Sequence, residues 1–158
     1  MFPVLTIVCG VHITSGEVLG EDGAPHTVFE MGERPVLRFG YEARERLANP
    51  NFVVWITRSD GVYCSCYSTE VEGIDTGEIY GDGTIELRLP PLKLVAEMYT
   101  VNVAVRRNGF NDLICNQTIT TMHVRHDLLN SHFGVFHETA SWKFLKGSAT
   151  GASSARGA

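Results

Sequence analysis

The histidines are the first residues in this sequence whose types and spacing suggest chemistry. Two groups are close enough to suggest a metal site: His123 with His126, and His132 with His137 and Glu138. A cupin-like site needs a His-x-His pair with a later Glu and His on barrel strands, and that spacing is absent. His123 and His126 lie three apart in an extended segment, so they would face opposite sides of a strand. We therefore expect no metal and no other cofactor.

Other catalytic arrangements are equally hard to assemble from this chain. Asp75 and Glu78 lie in a glycine-rich stretch, and Asp60 is explained as a turn residue in Ser-Asp-Gly. A G-x-S-x-G nucleophile context is missing, and so is the G-x-x-x-x-G-K-[ST] loop that would bind a nucleotide phosphate. The sequence thus favours a chain that is not an enzyme.

Four cysteines, at positions 9, 64, 66 and 115, have no spacing typical of a zinc site or of the disulfide of an antibody domain. Cys64 and Cys66 are two apart on one predicted strand, so alternation predicts that both face the same side. Without a second pair at ligand spacing, we expect reduced thiols in a cytoplasmic compartment.

Length and charge restrict the remaining function classes. The chain has 158 residues, enough for one domain with one core, and it is 44% hydrophobic and 20% charged with a formal net charge of −5. It has no basic footprint for nucleic acid or anionic lipid. The apolar N-terminus lacks the basic start of a signal peptide and is shorter than a bilayer span, so we interpret it as a first strand.

Short β segments separated by turn signals fill the chain, a pattern typical of a β-sandwich. No segment has sustained helical periodicity, so we expect single helical turns at most. Ser59 to Gly61 predicts a hairpin, and Tyr99 follows a turn as a tyrosine whose hydroxyl would cap nearby backbone. The predicted strands are Thr6–Ile13, 27–30, Val36–Glu42, Phe52–Thr57, Val62–Ser68, Thr84–Leu89, Tyr99–Arg106 and Leu113–Val124.

Trp55 is unusual within its strand. Alternation puts Phe52, Val54 and Ile56 on the core side, which leaves Trp55 on the other face beside Thr57. A solvated strand face more often carries Thr, Lys or Glu than a large aromatic side chain. Trp55 therefore predicts either a ligand surface or a packing contact.

Several local motifs occur in an order that resembles one known family. They are GERPVLRFGYEA, NPNFVVWITRSDGVYCS, GIDTGEIYGDGTIELRLPPLKLVAEMYTVNVAV and GVFHETASWKF. Together they resemble, over residues 5–144, the C-terminal carbohydrate-binding domain of the ATP-binding subunit of O-antigen polysaccharide ABC transporters (Wzt type). Two features of the chain differ from the family. The whole subunit carries a phosphate loop, which this sequence lacks, and residues 95–97 are VAE where relatives often have LPG.

The resemblance implies an all-β, Ig-like antiparallel β-sandwich and a homodimer built partly by exchange of the terminal strand. It implies non-catalytic binding of O-polysaccharide at the cytoplasmic face of the inner membrane, beside the nucleotide-binding domain and transmembrane subunit of the exporter. A structural Ig-like dimerisation or interaction domain without sugar binding is the alternative. We expect the domain to cover residues 1–144 and the Gly/Ala/Ser-rich residues 145–158 to be disordered.

The resemblance also makes neighbours of the strands that contain Trp55, Asn102 and Thr121. Their outward residues would then form one surface that also includes Val53, Ala104 and Ile119, with small Ala104 leaving room for a sugar ring. Sugars present an apolar C–H face and a rim of hydroxyls, which an aromatic ring and short polar side chains complement. The candidate carbohydrate-binding residues are Trp55, Thr57, Asn102, Arg106, Thr121, His123 and Trp142, and Trp142 is alternatively a plug into a partner subunit.

Overall fold

A computed structural model describes residues 10–147 and contains eight strands and one short 3₁₀ helix. No helix in that range is long and apolar enough to cross a membrane. The elements are β1 (Val11–Leu19), β2 (Val28–Glu30), β3 (Val36–Ala48), β4 (Asn51–Arg58), β5 (Tyr63–Ser68), β6 (Glu78–Arg88), β7 (Glu97–Arg107), β8 (Asp112–Arg125) and the 3₁₀ helix Ser131–Phe133.

The strands form two sheets that pack face to face. One has the order β1-β3-β6 and the other the order β2-β8-β7-β4-β5. This is the all-β, Ig-like sandwich that the sequence predicts. One pairing differs from a purely antiparallel arrangement, because the short β2 lies parallel to β8, with Phe29 opposite Val124.

The core follows the predicted alternation most closely in β7, where the inward residues are fully buried. Apolar residues of β3 and β4 pack against them from both sheets, which is the packing expected of a sandwich. The residues that form this core include Leu37, Phe39, Phe52, Val54, Ile56, Tyr99, Val101, Val103 and Val105. The Tyr99 hydroxyl donates a 2.6 Å hydrogen bond to the Val95 carbonyl, which confirms its predicted capping role.

The first strand runs further along the chain than predicted. The predicted strand ends at Ile13, before Ser15 and Gly16, but β1 continues through them to Leu19 after a bulge between Ile13 and Ser15. Gly16 instead allows close packing, because a Cβ atom there would lie 2.5 Å from the Cβ of Ile119 in β8. The beginning of the predicted strand, before residue 10, lies outside the described residues.

The predicted hairpin between β4 and β5 is present. Arg58 N–H donates to the Val62 carbonyl at 2.8 Å, and Gly61 adopts φ +89°, a conformation that favours glycine. Arg58 donates through Nε and Nη2 to the two carboxylate oxygens of Asp60, at 2.9 and 2.8 Å. The turn therefore fixes the register that places Trp55 opposite Cys66.

Of the predicted C-terminal tail, residues 145–147 are exposed and have no regular secondary structure. Residues 148–158 lie outside the described residues. The boundary at residue 144 remains a prediction.

Candidate functional site

The outer face of the five-stranded sheet, which points away from the core, brings several predicted site residues together. In the β4–β7 pairing, Trp55 lies opposite Asn102 and Thr57 lies opposite Thr100. In the β7–β8 pairing, Thr100 lies opposite Thr121. We use the term outer face for Cys66 and Tyr63 of β5, Val53, Trp55 and Thr57 of β4, Met98, Thr100, Asn102, Ala104 and Arg106 of β7, and Asn116, Thr118, Thr121 and His123 of β8.

The aromatic group on this face is a pair of rings. The Trp55 and Tyr63 ring centroids are 5.6 Å apart and the ring planes meet at 61°, an edge-to-face arrangement. Tyr63 is 74% exposed, and Trp55 is half-buried. The sequence analysis did not identify Tyr63 as a site residue. The register of the β4–β5 hairpin, which pairs Thr57 with Tyr63, is the feature that could have identified it.

A β-bulge in β8 changes which residues reach the outer face. Val101 pairs with Thr120, but Asn102 pairs with Thr118, so Ile119 is the extra residue. The expectation that Ile119 points outward is wrong, because its side chain packs against the core. Thr118 takes the outward position, and its hydroxyl donates a 3.2 Å hydrogen bond to the Asn102 side-chain oxygen.

Several polar groups on the outer face remain available to a ligand. The Asn102 amide accepts through Oδ1, so its NH₂ group still has both donors, and no hydrogen bond within residues 10–147 uses them. Across the same part of the chain, the hydroxyls of Thr57 and Thr121 and the His123 ring also have no side-chain partner. These groups can donate and accept hydrogen bonds with sugar hydroxyls.

The end of the face near Arg106 is more closed than expected. Val53 and Ala104 are buried, so Ala104 does not open space for a ring. Arg106 donates through Nη1 to the Phe110 carbonyl at 3.0 Å, which ties its guanidinium to the β7–β8 turn. The accessible centre of the outer face therefore begins at Trp55 and Asn102.

The predicted pairing of Cys64 with Cys66 on one face is also wrong. A bulge between Ile56 and Thr57 makes Cys64 the extra residue, and Cys64 packs against the core. Cys66 is exposed and lies opposite Trp55. Partial burial raises the pKa of both thiols, so neither has the low pKa of a reactive cysteine.

The outer face of the three-stranded sheet has a very different composition. Cross-strand ion pairs join Arg38 to Glu86 at 2.7 Å and Arg46 to Glu78 at 2.8 Å. Further pairs join Arg38 to Glu17 at 3.5 Å and Arg44 to Glu42 at 3.3 Å, and the His12 ring lies 3.5 Å from the Glu42 carboxylate. Such opposite-charge ladders are typical of a solvated sheet surface. On the other outer face, as defined above, Arg106 is the single residue with a permanent charge, and one further ion pair, Arg125 with Glu30 at 2.6 Å, lies at its β2 end.

After β8 the chain folds back against the β6–β7 connection and then leaves the sandwich. Val95 N–H donates to the Val135 carbonyl at 3.1 Å, and His137 N–H donates to the Lys93 carbonyl at 2.7 Å. Arg58 also donates to the Gly134 carbonyl at 3.0 Å. Residues 139–147, which we call the arm, are all exposed.

Trp142 lies on this arm and is 83% exposed. Over the described range, no ring contact or hydrogen bond joins it to the outer face. The structure therefore does not bring Trp142 together with the other candidate residues. Phe144 and Leu145 beside it are also strongly exposed.

An apolar groove opens between the two sheets, away from the side where β1 contacts β8. It has a volume of about 410 Å³ and lies between the edge strands β5 and β6. We use the term edge groove for this cavity. Its lining includes Phe39, Phe52, Val54, Tyr67, Ile74, Ile85 and Leu87.

No group of three or more His, Cys, Asp or Glu side chains within residues 10–147 is arranged to hold a metal ion. His123 lies on the outer face, whereas His126 follows the end of β8 and has a different role. His126 Nδ1 accepts hydrogen bonds from the backbone N–H groups of Leu128 and Leu129 at 3.1 and 2.9 Å. It thereby caps the turn that follows β8.

The fold is an Ig-like β-sandwich with one ion-paired outer surface and one outer surface whose centre carries an aromatic pair among uncharged polar side chains. The chain belongs to the Wzt C-terminal domain family, whose model matches residues 9–137. Membership connects it with O-antigen ABC transporters and, in general terms, with carbohydrate binding.

Comparison with solved structures supports the fold. The crystal structure of the C-terminal domain of Wzt superposes with a TM-score of 0.72 at 12% identity and covers 86% of this chain and 84% of that one. A β-glucuronidase from Parabacteroides merdae, also 12% identical, reaches a TM-score of 0.40 over 74% of this chain and 14% of its own, which is too low to support an inference. No curated protein matches the chain by sequence.

Proposed function

We propose that this domain binds O-antigen polysaccharide on its outer face, without catalysis, and so selects cargo for export by an ABC transporter. The observation that carries the proposal is the contrast between the two outer faces. A surface needed only for solubility would resemble the ion-paired face of the three-stranded sheet. The outer face instead exposes an aromatic pair among threonine and asparagine side chains, which suits a sugar.

Each predicted residue has a role in this proposal. Trp55 stacks on the C–H face of a sugar ring, while Thr57, Asn102 and Thr121 exchange hydrogen bonds with its hydroxyls. His123 and Arg106 contact neighbouring sugars at the two ends of the face. We assign Trp142 to the dimer, because it lies on the arm.

The proposed assembly is a homodimer in which each arm reaches the partner subunit. In an extended arm Trp142 and Phe144 point to the same side, and nine extended residues span about 30 Å. Among the strands within residues 10–147, β6 forms one edge of its sheet and lies next to the edge groove. An arm of the partner subunit that pairs with β6 would place both aromatic rings in this groove and cover an edge that otherwise invites aggregation.

Two sites in one dimer would also strengthen binding. Individual sugar contacts are weak, but a polysaccharide that reaches both outer faces binds the second at high effective concentration. The proposed location is the cytoplasmic face of the inner membrane, next to the nucleotide-binding domain and transmembrane subunit of the exporter.

The alternative function is a structural interaction domain. Its supporting observation is that aromatic residues and few charges are also typical of the centre of a protein interface. In that case the outer face would be covered by protein, and Trp55 would be a packing residue.

Calorimetric titration with the O-polysaccharide of the source organism distinguishes these functions. We expect saturable binding by the wild-type domain and a loss of about tenfold or more in Trp55→Ala. Tyr80→Ala is the matched control, because Tyr80 is exposed on the opposite sheet, where its ring contacts Arg46. Light scattering on each variant gives the oligomeric state. Loss of the dimer in Trp55→Ala, with no binding by the intact wild type, would instead support the structural role.

A further inference from the structure

From the distribution of charge on the outer face, we propose that its centre recognises an uncharged sugar residue held in the corner between Trp55 and Tyr63. Uncharged here means that the residue carries no carboxylate, phosphate or ammonium group. This inference rests on the proposed function, because it defines the chemical class of the ligand at the same site.

The centre of the outer face contains no ionisable acid or base except the weakly acidic groups of Tyr63 and Cys66. Trp55 lies between Cys66 of β5 and Asn102 of β7, and Thr118 of β8 lies opposite Asn102 on its other side. The charged group of a sugar bound there would lose its hydrating water without gaining a protein group of opposite charge as a partner. That loss is costly even when part of the site remains open.

Charged groups appear only towards the ends of the face. At one end Arg106 is bound to the Phe110 carbonyl. At the other end a shallow cavity of about 530 Å³ is lined by His123 together with Glu97, Arg125 and Asp127. An ionic substituent would therefore find partners only on sugars that lie beyond the central one.

The hydrogen-bonding groups at the centre favour the same class of ligand. Threonine hydroxyls and the Asn102 amide both donate and accept, as sugar hydroxyls do. Recognition of a carboxylate or phosphate would use donors alone, usually arginine or converging backbone N–H groups. No arginine lies within the central part of the described face.

Tyr63 gives the site a second wall. Its ring meets that of Trp55 at 61°, so a pyranose ring stacked on Trp55 would present one edge to Tyr63. Tyr63 is strongly exposed and its hydroxyl has no hydrogen-bond partner in the described range, so this hydroxyl is available to the ligand. We assign Tyr63 as a specificity-determining residue.

The test combines a salt series with a panel of defined glycans. Calorimetry with the native O-polysaccharide at about 50 and about 500 mM NaCl should give dissociation constants within about twofold of each other, because screening has little effect on uncharged contacts. A panel of immobilised tetrasaccharides of neutral hexoses, galacturonic acid and glucosamine should show binding to neutral members alone. Tyr63→Ala should weaken binding about fivefold, and Tyr80→Ala should leave it unchanged.

Three results would overturn the inference. Trp55-dependent binding of the galacturonic acid or glucosamine glycans, or a steep loss of affinity with salt, would show that the site takes a charged sugar while the proposed function stands. Unchanged affinity in Tyr63→Ala would show that Tyr63 does not form a second wall of the sugar site. Absence of binding to the native polysaccharide at any salt concentration would reject the proposed function itself.

Discussion

The buried hydroxyl of Tyr99 shows how one side chain fixes the start of a central strand. Its hydrogen bond to the Val95 carbonyl joins β7 to the preceding turn, and burial raises the pKa of the phenol, so it stays protonated as a donor. We expect Tyr99→Phe to lower the free energy of unfolding by about 1–2 kcal/mol, because it leaves the carbonyl without its partner. Urea denaturation measures this change, and an unaltered midpoint would show that water replaces the hydroxyl.

Asp60 gives a second prediction at this scale, one that depends on pH. The hydrogen bonds from Arg58 hold the pKa of the Asp60 carboxyl below its usual value. The folded pKa is therefore below the unfolded one, so the ionised group stabilises the fold above about pH 4, and this contribution is lost as the pH falls through the folded pKa. Asp60→Asn should thus be less stable than wild type at pH 7.

Unfolding midpoints measured in urea from pH 7 to pH 3 test the Asp60 prediction. The difference between wild type and Asp60→Asn should shrink as Asp60 becomes protonated. Glu33→Gln provides a matched control, since Glu33 also accepts a backbone hydrogen bond in a turn but lies away from Arg58. A difference that stays constant with pH would mean that the charge of Asp60 does not contribute.

At the scale of strands, alternation in the sequence predicted β4 and β7 well and β8 less well. Trp55 and Asn102 lie on unbroken alternating segments, so their direction followed from counting residues. The bulge at Ile119 consumes one residue, and every later position changes face relative to the earlier ones. The stretch Thr-Ile-Thr gives no local signal for that bulge, and Gly16 of β1, which lies against Ile119, is distant in sequence.

The contact between β1 and β8 leads to a prediction for Gly16. A methyl group at this position would lie 2.5 Å from the Ile119 Cβ and 3.0 Å from its backbone oxygen, so the two strands would have to separate. We expect Gly16→Ala to lower the free energy of unfolding by about 1–3 kcal/mol. Gly147→Ala is the control, because no atom lies within 4 Å of the added group there. Equal stability of the two variants in urea would contradict close packing at this crossing.

At the scale of the whole molecule, the exposed arm and the edge groove predict how the proposed dimer would depend on the C-terminal arm. Truncation after Glu138 removes Trp142 and Phe144, so light scattering should show a monomer. Truncation after Gly147 keeps both aromatic residues and should remain dimeric. A dimer in both truncations would show that another surface joins the subunits.

The same two truncations separate affinity from avidity. A monomer retains one outer face, so its affinity for a short oligosaccharide should equal that of the dimer. Its affinity for the long polysaccharide should fall by about a hundredfold, because the second contact is lost. Calorimetry with both ligands measures this, and an equal loss for the short and long glycans would mean that the arm itself contributes to the sugar site.

The chain has two tryptophans, and the proposed function gives them different roles. Trp55 is half-buried beside Tyr63, whereas Trp142 is almost fully solvated on the arm. With Trp142 changed to Phe, intrinsic fluorescence reports on the outer face alone, and sugar stacking should alter its emission. With Trp55 changed to Phe, the emission should shift to the blue as protein concentration rises and the arm enters an apolar groove. Two optical signals can therefore follow cargo capture and subunit assembly independently, without any attached dye.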